Sequence, residues 1–215
     1  MKYFLRLAML TVGIAGLNPV AAQVTRLTIP TVVPAWNLLN RTADKTQTGY
    51  VRGLDRAVRH GGKASGTVRS VGSGRFGTLT QGIRADHYRG KRVRLSGWIK
   101  AKNASAAGLW LRVDGEDQMF GFDNMLQDRP IAGTQDWARV TVVLDVPTAA
   151  LGLHFGALLV GEGQVWVDDL ALEIVDPKTV ETTMPTLAQA TGSGGSLKRF
   201  YQGASTAPLN LNFEK

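Results

Sequence analysis

The stretch KRVRLSGWIK, residues 91–100, decides the fold class of this chain. Apolar side chains at Val93, Leu95 and Ile99 alternate with basic and aromatic ones, which is the period-two pattern of a strand buried on one face. The stretch WARVTVVLDV, residues 137–146, repeats this alternation. Both stretches predict strands of a sheet that turns one face to a core and the other to solvent.

Strand-like stretches extend from residue 65 to residue 175. Further strands are predicted at residues 66–71, 76–83, 107–114, 150–160 and 163–175, and clusters of Gly, Asp, Asn and Pro separate them. Many short strands without a helical period favour an all-β fold. We predict an antiparallel two-sheet jelly-roll β-sandwich.

The two ends of the chain differ from this central part. Lys2 and Arg6 precede an apolar run and a small-residue cleavage pattern, so residues 1–22 are predicted to be a signal peptide, with a retained anchor as the alternative. Residues 23–176 are then the sandwich, residues 177–207 a flexible linker, and residues 208–215, PLNLNFEK, a terminal strand. We therefore expect a periplasmic or secreted protein with no membrane segment after cleavage.

Composition limits the classes of partner and chemistry. The chain has no cysteine, which excludes a disulfide framework, and its formal net charge of +8 favours anionic partners. The basic stretch at residues 84–102 favours a polyanion such as an acidic polysaccharide, although it is also typical of a solvated strand. Nucleic acid is not an expected partner of an exported chain.

Motifs for catalysis are missing from the sequence. GSGRFG, residues 72–77, matches a dinucleotide fingerprint, but the next residues predict a strand instead of the required helix, so we interpret the glycines as a turn. The three histidines lack the HExxH spacing of a catalytic zinc site, and no G-x-S-x-G elbow occurs. We expect no enzyme, with a polysaccharide-acting jelly roll as the alternative.

Three stretches carry a family resemblance. YRGKRVRLSGWIK (88–100), FDNM (122–125) with GTQDW (133–137), and GQVWVDDLALE (163–173) are the most distinctive. With them, residues 34–176 resemble the galactose-binding-like jelly-roll domain, which is similar to carbohydrate-binding modules and occurs beside erythromycin-esterase-like enzymes and in some bacterial transcriptional regulators. The resemblance implies a two-sheet sandwich with a glycan surface and a structural calcium ion.

The resemblance also makes the end of the chain unusual. Such domains open with a strand of the type NLDFE before the tryptophan that corresponds to Trp36, whereas here the similar NLNFE stands at residues 210–214. Either a second module begins there, or the C-terminal strand docks as a permuted first strand, in the same molecule or by exchange with another.

The calcium expectation follows from the resemblance alone. The matching positions are the turn from Gly62 to Ser65, Glu214, and one aspartate of the pair Asp168 and Asp169, of which we choose Asp169. Such oxygen ligands suit calcium. The alternative is that both aspartates are ordinary polar residues that cap turns or pair with arginines.

For a glycan we expect flat aromatic surface bordered by planar polar side chains. Trp98, Trp110 and Arg112 share the outward parity of their strands. The polar residues expected to border them are Gln81, Asp123, Asn124, Arg129 and His154. Alternatively, the tryptophans pack and the acidic residues form a loop network. The sequence thus predicts a non-catalytic module that binds carbohydrate or anionic polysaccharide, with a structural or protein-interaction accessory domain as the alternative.

Overall fold

The computed structural model describes residues 33–41, 49–72, 74–182 and 194–215, and three of the strands in these residues form the centre of the fold. The predicted signal peptide lies outside these residues. The elements are β1 (Asn37–Arg41), β2 (Tyr50–Asp55), β3 (Ser65–Ser70), β4 (Phe76–Arg84), β5 (Lys91–Asp114), β6 (Met119–Asp123), β7 (Ile131–Val146), β8 (Gly152–Val160), β9 (Gln164–Val175) and α1 (Gly194–Gln202).

The strands form two antiparallel layers that share β5. Its first half pairs with β7 on one side and with β9 on the other, and β9 continues through β3 to β2; we call this layer sheet I. Its second half pairs with β6 on one side and with β8 on the other, and β8 continues through β4 to β1; we call this layer sheet II. The predicted all-β, antiparallel two-sheet sandwich is confirmed.

The core lies between the sheets and contains the apolar positions that the alternation predicts. Val93, Leu95 and Ile99 of sheet I and Leu109 and Leu111 of sheet II are fully buried in one apolar cluster. Because neighbouring strand residues point to opposite faces, the even-numbered side chains at 92–100 and 106–114, the two regular parts of β5, point outward. Each sheet therefore presents its own outer face.

The strand predictions are close for β3, β4, β8 and β9, whereas β7 begins at Ile131 instead of residue 137, and β1, β2 and β6 were not among the predicted strands. Residues 91–100 and 107–114 were predicted as separate strands, and they form the single strand β5. Ala101, Ala104 and Ala107 continue to pair with β7 through three register shifts, and Asn103 has a φ of 50°. These irregularities turn the corner between the sheets without ending the strand. β4 begins at Phe76, within GSGRFG, where a dinucleotide fingerprint would require a helix to follow.

Residues 183–193 of the predicted linker lie outside the described residues, and the segment that follows them differs from the prediction. A flexible linker was expected over residues 177–207, and this prediction is wrong for Gly194–Gln202, which form α1. Tyr201 is 3% exposed and packs where Gly152 has no side chain. Burial of this aromatic residue against the sheet stabilises the helix, which a composition rich in Gly and Ser does not reveal.

The C-terminal segment packs on the sandwich, but it is not a strand. Phe213 is fully buried, its ring centroid is 5.2 Å from that of Trp36, and Trp36 Nε1 donates to the Asn210 carbonyl at 3.0 Å. Asn210 and Phe213 have φ values of 48° and 56°, and this left-handed backbone turns the chain. The predicted strand conformation over residues 208–215 is therefore wrong, although its apolar residue Phe213 does enter the core.

Candidate functional site

The outer face of sheet I combines aromatic and polar side chains. Arg94, Ser96, Trp98 and Lys100 point outward from β5, and Trp98 is half-buried. On the neighbouring strand β7, Arg139 lies directly opposite Trp98. Flat apolar surface and hydrogen-bonding groups therefore occur side by side in the middle of this sheet.

Three aromatic rings meet on this face, and we call His60, Trp98 and Trp137 the aromatic platform. The His60 ring stacks on Trp98, with 4.0 Å between centroids and 14° between planes. Trp137 meets His60 edge-on at 5.7 Å and 69°. Both indoles are half-buried, so part of each remains in contact with solvent.

The loop between β2 and β3 brings His60 to the platform, and β9 holds the loop in place. Asp168 is buried and its carboxylate accepts hydrogen bonds from the backbone N–H groups of His60 at 2.9 Å and Gly61 at 3.1 Å. Burial raises the pKa of Asp168, although these N–H groups and that of Asp169 oppose the shift. Asp168 thus anchors the loop from beneath.

Asp169 holds the same histidine from outside. Asp169 has a φ of 47° and lies next to a register shift between β5 and β9. Its Oδ2 is 2.8 Å from His60 Nδ1. Its side chain is 43% exposed, in contrast to that of Asp168. The two aspartates therefore face opposite ways, and the outer one borders the aromatic platform.

Charged groups surround the platform. Lys100 Nζ is 2.6 Å from Asp136 Oδ1, and Arg94 Nη2 is 3.0 Å from Glu173 Oε2. The Arg139 guanidinium is 3.4 Å from Ser96 Oγ. This mixture of donors and acceptors around exposed ring surface suits a ligand with many hydroxyl groups.

The structure brings the residues expected to hold calcium to one loop. Glu214 Oε1 accepts hydrogen bonds from Lys63 N at 2.6 Å and Ala64 N at 3.3 Å, and a side chain at Gly62 would collide with this carboxylate. Asp169 lies against Gly61 in the same loop, and Ser65 Oγ donates to the Val58 carbonyl at 2.6 Å.

These residues provide only part of the oxygen ligands that a calcium ion needs. Over the described part of the chain, no group of three or more His, Asp or Glu side chains is placed to hold a metal ion. Amide donors already satisfy Asp168 and one oxygen of Glu214. A calcium ion here would therefore depend on backbone carbonyls of the loop together with a carboxylate.

A separate cavity of about 290 Å³ opens on the outer face of sheet II. Trp110 is 6% exposed there, and its indole N–H donates to Thr78 Oγ1 at 2.7 Å. The cavity is lined by Phe76, Thr78, Trp110, Arg112, Phe122, Asn124, Leu126, Leu158 and Val160. Most of its surface is therefore apolar.

The eight predicted ligand residues do not form one surface. Trp98 and Trp110 both point outward, but β5 turns from one sheet to the other between them, so they lie on different faces. Arg112 and Asn124 line the cavity together with Trp110, and His154 lies beside Arg112 at 3.3 Å.

The remaining predicted residues have structural partners. Gln81 is buried, and its side chain donates to the Ala35 and Leu209 carbonyls and accepts from Leu209 N, so it holds the C-terminal segment. Asp123 is fully buried, accepts from Met125 N and pairs with Arg129. These contacts match the loop network named as the alternative.

His60 and Trp137 were missing from the predicted ligand set. His60 follows β2 in an irregular loop, so strand parity gave no information about its direction. Trp137 lies in β7 next to Asp136 in the GTQDW stretch. The alternation of this strand already placed Trp137 on the outer face, and this was the sequence feature that could have identified it as a ligand residue.

No family model matches the chain. It is 44% identical over 171 residues to a Bacillus subtilis protein named as an uncharacterized HTH-type transcriptional regulator, YbfP, and the match covers 77% of this chain but 53% of the relative. The chain therefore spans about half the length of this curated relative. Its described residues contain one helix, so the two-helix DNA-binding motif is not among them.

Several solved structures with a similar chain path are carbohydrate-binding modules. The CBM22-1 xylan-binding domain of Paenibacillus barcinonensis Xyn10C has a TM-score of 0.47 and 13% identity, covering 66% of this chain and 86% of that one. A family 22 module of Clostridium thermocellum Xyn10B has a TM-score of 0.46 and 12% identity, covering 70% and 91%.

A catalytic protein also has a similar chain path. The enzymatically active domain of bacteriophage CBA120 tailspike protein 4 has a TM-score of 0.49 and 17% identity, covering 67% of this chain and 20% of that one. Scores this low mark remote likenesses, and the sandwich is established by the strand pairing of this chain itself. Among the described residues, no helix is long and apolar enough to cross a membrane.

Proposed function

We propose that this protein is a non-catalytic carbohydrate-binding module, and that the aromatic platform of sheet I is its binding site. The observation that carries this proposal is the stack of His60 on Trp98 with Trp137 at its edge, on an outer sheet face rich in charged groups. The apolar face of a pyranose ring packs on such a surface. Its hydroxyl groups then meet polar side chains at the rim.

The rim side chains suit a sugar better than an apolar ligand. Arg139, Lys100 and Asp169 offer both donors and acceptors within reach of the platform. A sugar hydroxyl donates and accepts at once, so a mixed rim satisfies it without leaving an unpaired group. The formal net charge of +8 of the whole chain favours an acidic sugar over a neutral one.

The platform does not present a pair of carboxylates on an open cleft. Asp168 is buried beneath the loop, and the acidic groups at the rim are engaged by Lys100, Arg94 and His60. Most glycoside hydrolases use two carboxyl groups that flank the scissile bond. Binding without catalysis is therefore the activity that this site supports best.

A glycan array with the purified protein tests the proposal, followed by titration calorimetry with the best ligand. We expect Trp98→Ala and Trp137→Ala each to weaken binding about tenfold or more, since aromatic anchors dominate such sites. Phe200→Ala is the matched control, because Phe200 is 43% exposed and lies on α1 against sheet II. Binding that survives both tryptophan substitutions would remove the platform from the site.

We further propose that the protein is exported, supported by the pattern at residues 1–22. N-terminal sequencing of the protein from its own host tests this, with Gln23 as the expected first residue. A chain that retains Met1 in the cytoplasm would instead favour a role like that of the longer regulator, with the same sandwich as its ligand-binding part.

A further inference from the structure

The outer face of sheet II is divided into a covered and an open half. Helix α1 covers one half, where Tyr201 takes the space above Gly152 and the Phe200 ring lies 4.8 Å from that of His154. The cavity with Trp110 occupies the other half. Arg112 lies between the two, because it lines the cavity and also contacts His154.

The polar groups on the floor of the cavity already have hydrogen-bond partners within the protein. Trp110 Nε1 donates to Thr78 Oγ1, and this hydroxyl donates in turn to the Ala157 carbonyl at 2.7 Å. The indole therefore offers only flat apolar surface to whatever enters. Phe76, Phe122 and Leu158 add apolar walls.

Two donors stand at the polar side of this cavity. Asp114 pairs with Arg112, whose Nη2 donates to the carboxylate at 2.9 Å and whose Nε lies 2.8 Å from Oδ1, and the Arg112 side chain also lines the cavity. Asn124 uses its carbonyl oxygen to accept from Leu126 N, so its amide nitrogen is the group left to donate. A ligand oxygen that accepts hydrogen bonds would meet both.

A buried network holds Arg112 in this position. Asp114 is 2% exposed, and its Oδ2 accepts a hydrogen bond from the Tyr201 hydroxyl at 2.5 Å. The same hydroxyl is 2.8 Å from His154 Nδ1. Apolar side chains of similar volume would often stabilise a fold as well as such buried charges. The network therefore points to a role in orienting Arg112 toward the cavity.

We propose that the cavity is a second ligand site, separate from the aromatic platform, for a small amphipathic molecule with a flat apolar body and a carboxylate. The body packs on Trp110, and the carboxylate accepts from Arg112 and Asn124. Tyr201 is a positioning residue, because it acts on the ligand only through Asp114 and Arg112. Helix α1 thereby completes a site on the sandwich.

Titration calorimetry of the full chain with cinnamate and with cinnamyl alcohol tests the proposal, since the two probes share a flat body and differ in the carboxylate. We expect cinnamate to bind more tightly. Arg112→Gln should weaken cinnamate about tenfold and leave the alcohol almost unchanged, as expected for a charge-assisted contact. Tyr201→Phe should weaken cinnamate about threefold, again without effect on the alcohol.

Three further variants complete the test. Arg94→Gln is the matched control, because Arg94 pairs with a carboxylate on the other sheet, and it should leave both probes unaffected. Leu126→Trp fills the cavity without touching the network and should abolish binding of both probes. Trp98→Ala should leave cinnamate binding intact while it weakens the glycan, which separates this site from the proposed carbohydrate site.

Several results would overturn the proposal. Failure of both probes to bind the folded chain would do so, as would equal loss of cinnamate in Arg94→Gln and Arg112→Gln. A dimer that buries Leu126 and excludes the probes, detected by sedimentation, would assign the cavity to a contact between copies instead.

Discussion

Two adjacent aspartates show how strongly local backbone geometry determines the role of a side chain. Asp168 points inward and binds loop amides, whereas Asp169 points outward to His60. Strand alternation explains part of this difference, and the φ of 47° at Asp169 adjusts its direction. Only one of the two can therefore border a ligand on the surface.

Phe213 contributes to stability at the scale of a single residue. It is fully buried against Trp36, so we expect Phe213→Ala to lower the free energy of unfolding by about 3–5 kcal/mol, as for other buried Phe truncations. Urea denaturation measures this. Leu209→Ala in the same segment is the control, because Leu209 is 47% exposed and its loss should cost less than about 1 kcal/mol. Equal losses would contradict the packing of Phe213 in the core.

Asp114 predicts a pH dependence of stability. Burial opposes its ionisation, but hydrogen bonds from His154 and Tyr201 and the charge of Arg112 outweigh this and hold its pKa below 3.8. A carboxyl whose pKa is lower in the folded state stabilises the fold above its unfolded pKa and loses this effect as pH falls through the folded value. We expect Asp114→Asn to be less stable than the natural chain at pH 7, and the difference to shrink below about pH 4.

Chemical denaturation of both proteins from pH 7 to pH 2 measures this effect. Asp136→Asn is a suitable comparison, because the pKa of Asp136 is also lowered, by Lys100, but its side chain is exposed. Solvent screens that pair, so its variant should change the pH profile little. A constant difference between Asp114→Asn and the natural chain at all pH values would contradict the prediction.

At the scale of the element, the C-terminal segment is part of the sandwich. Residues 208–215 contribute Phe213 to the core, Glu214 to the loop that carries His60, and backbone groups to Gln81 and Trp36. Deletion of these residues should therefore lower the melting temperature by about 10 °C, given a loss of several kcal/mol. Differential scanning fluorimetry measures this.

The free peptide PLNLNFEK provides the complementary measurement. Added in excess to the truncated chain, it should restore part of the lost melting temperature, because a ligand that binds only the folded state stabilises it. A peptide in which Phe is replaced by Ala is the control and should have little effect. Unchanged melting after the deletion would contradict the role of the segment in the core.

At the scale of the whole molecule, one loop connects the calcium position predicted from the family resemblance with the proposed glycan site. Glu214 binds this loop at one end, and His60 reaches the aromatic platform from the other. The predicted calcium ion should therefore raise the melting temperature by about 2–4 °C relative to a chelator. Glu214→Gln should remove most of this difference. Identical melting curves with calcium and with chelator would contradict the calcium prediction.

Much of the fold was predictable because alternation depends only on neighbouring residues. Val93, Leu95 and Ile99 had to share one face in any antiparallel sheet, and they do. Helix α1 was not predictable in this way, because its stability comes from Tyr201 packing above a glycine of β8. The candidate site was predicted in fragments, since parity placed Trp98 outward but could not show that β5 changes sheets before Trp110.

The sequence by itself determined the all-β class, the buried positions of the main strands and the outward direction of Trp98, because these follow from local periodicity. Only the tertiary structure decided that Trp98 joins His60 and Trp137, that Trp110 joins Arg112 on the opposite sheet, and that Phe213 enters the core. These groupings join residues far apart in the chain, and they depend on loop paths and on a bend within one strand. Such features arise from packing and hydrogen bonding across the whole molecule, which no local pattern specifies.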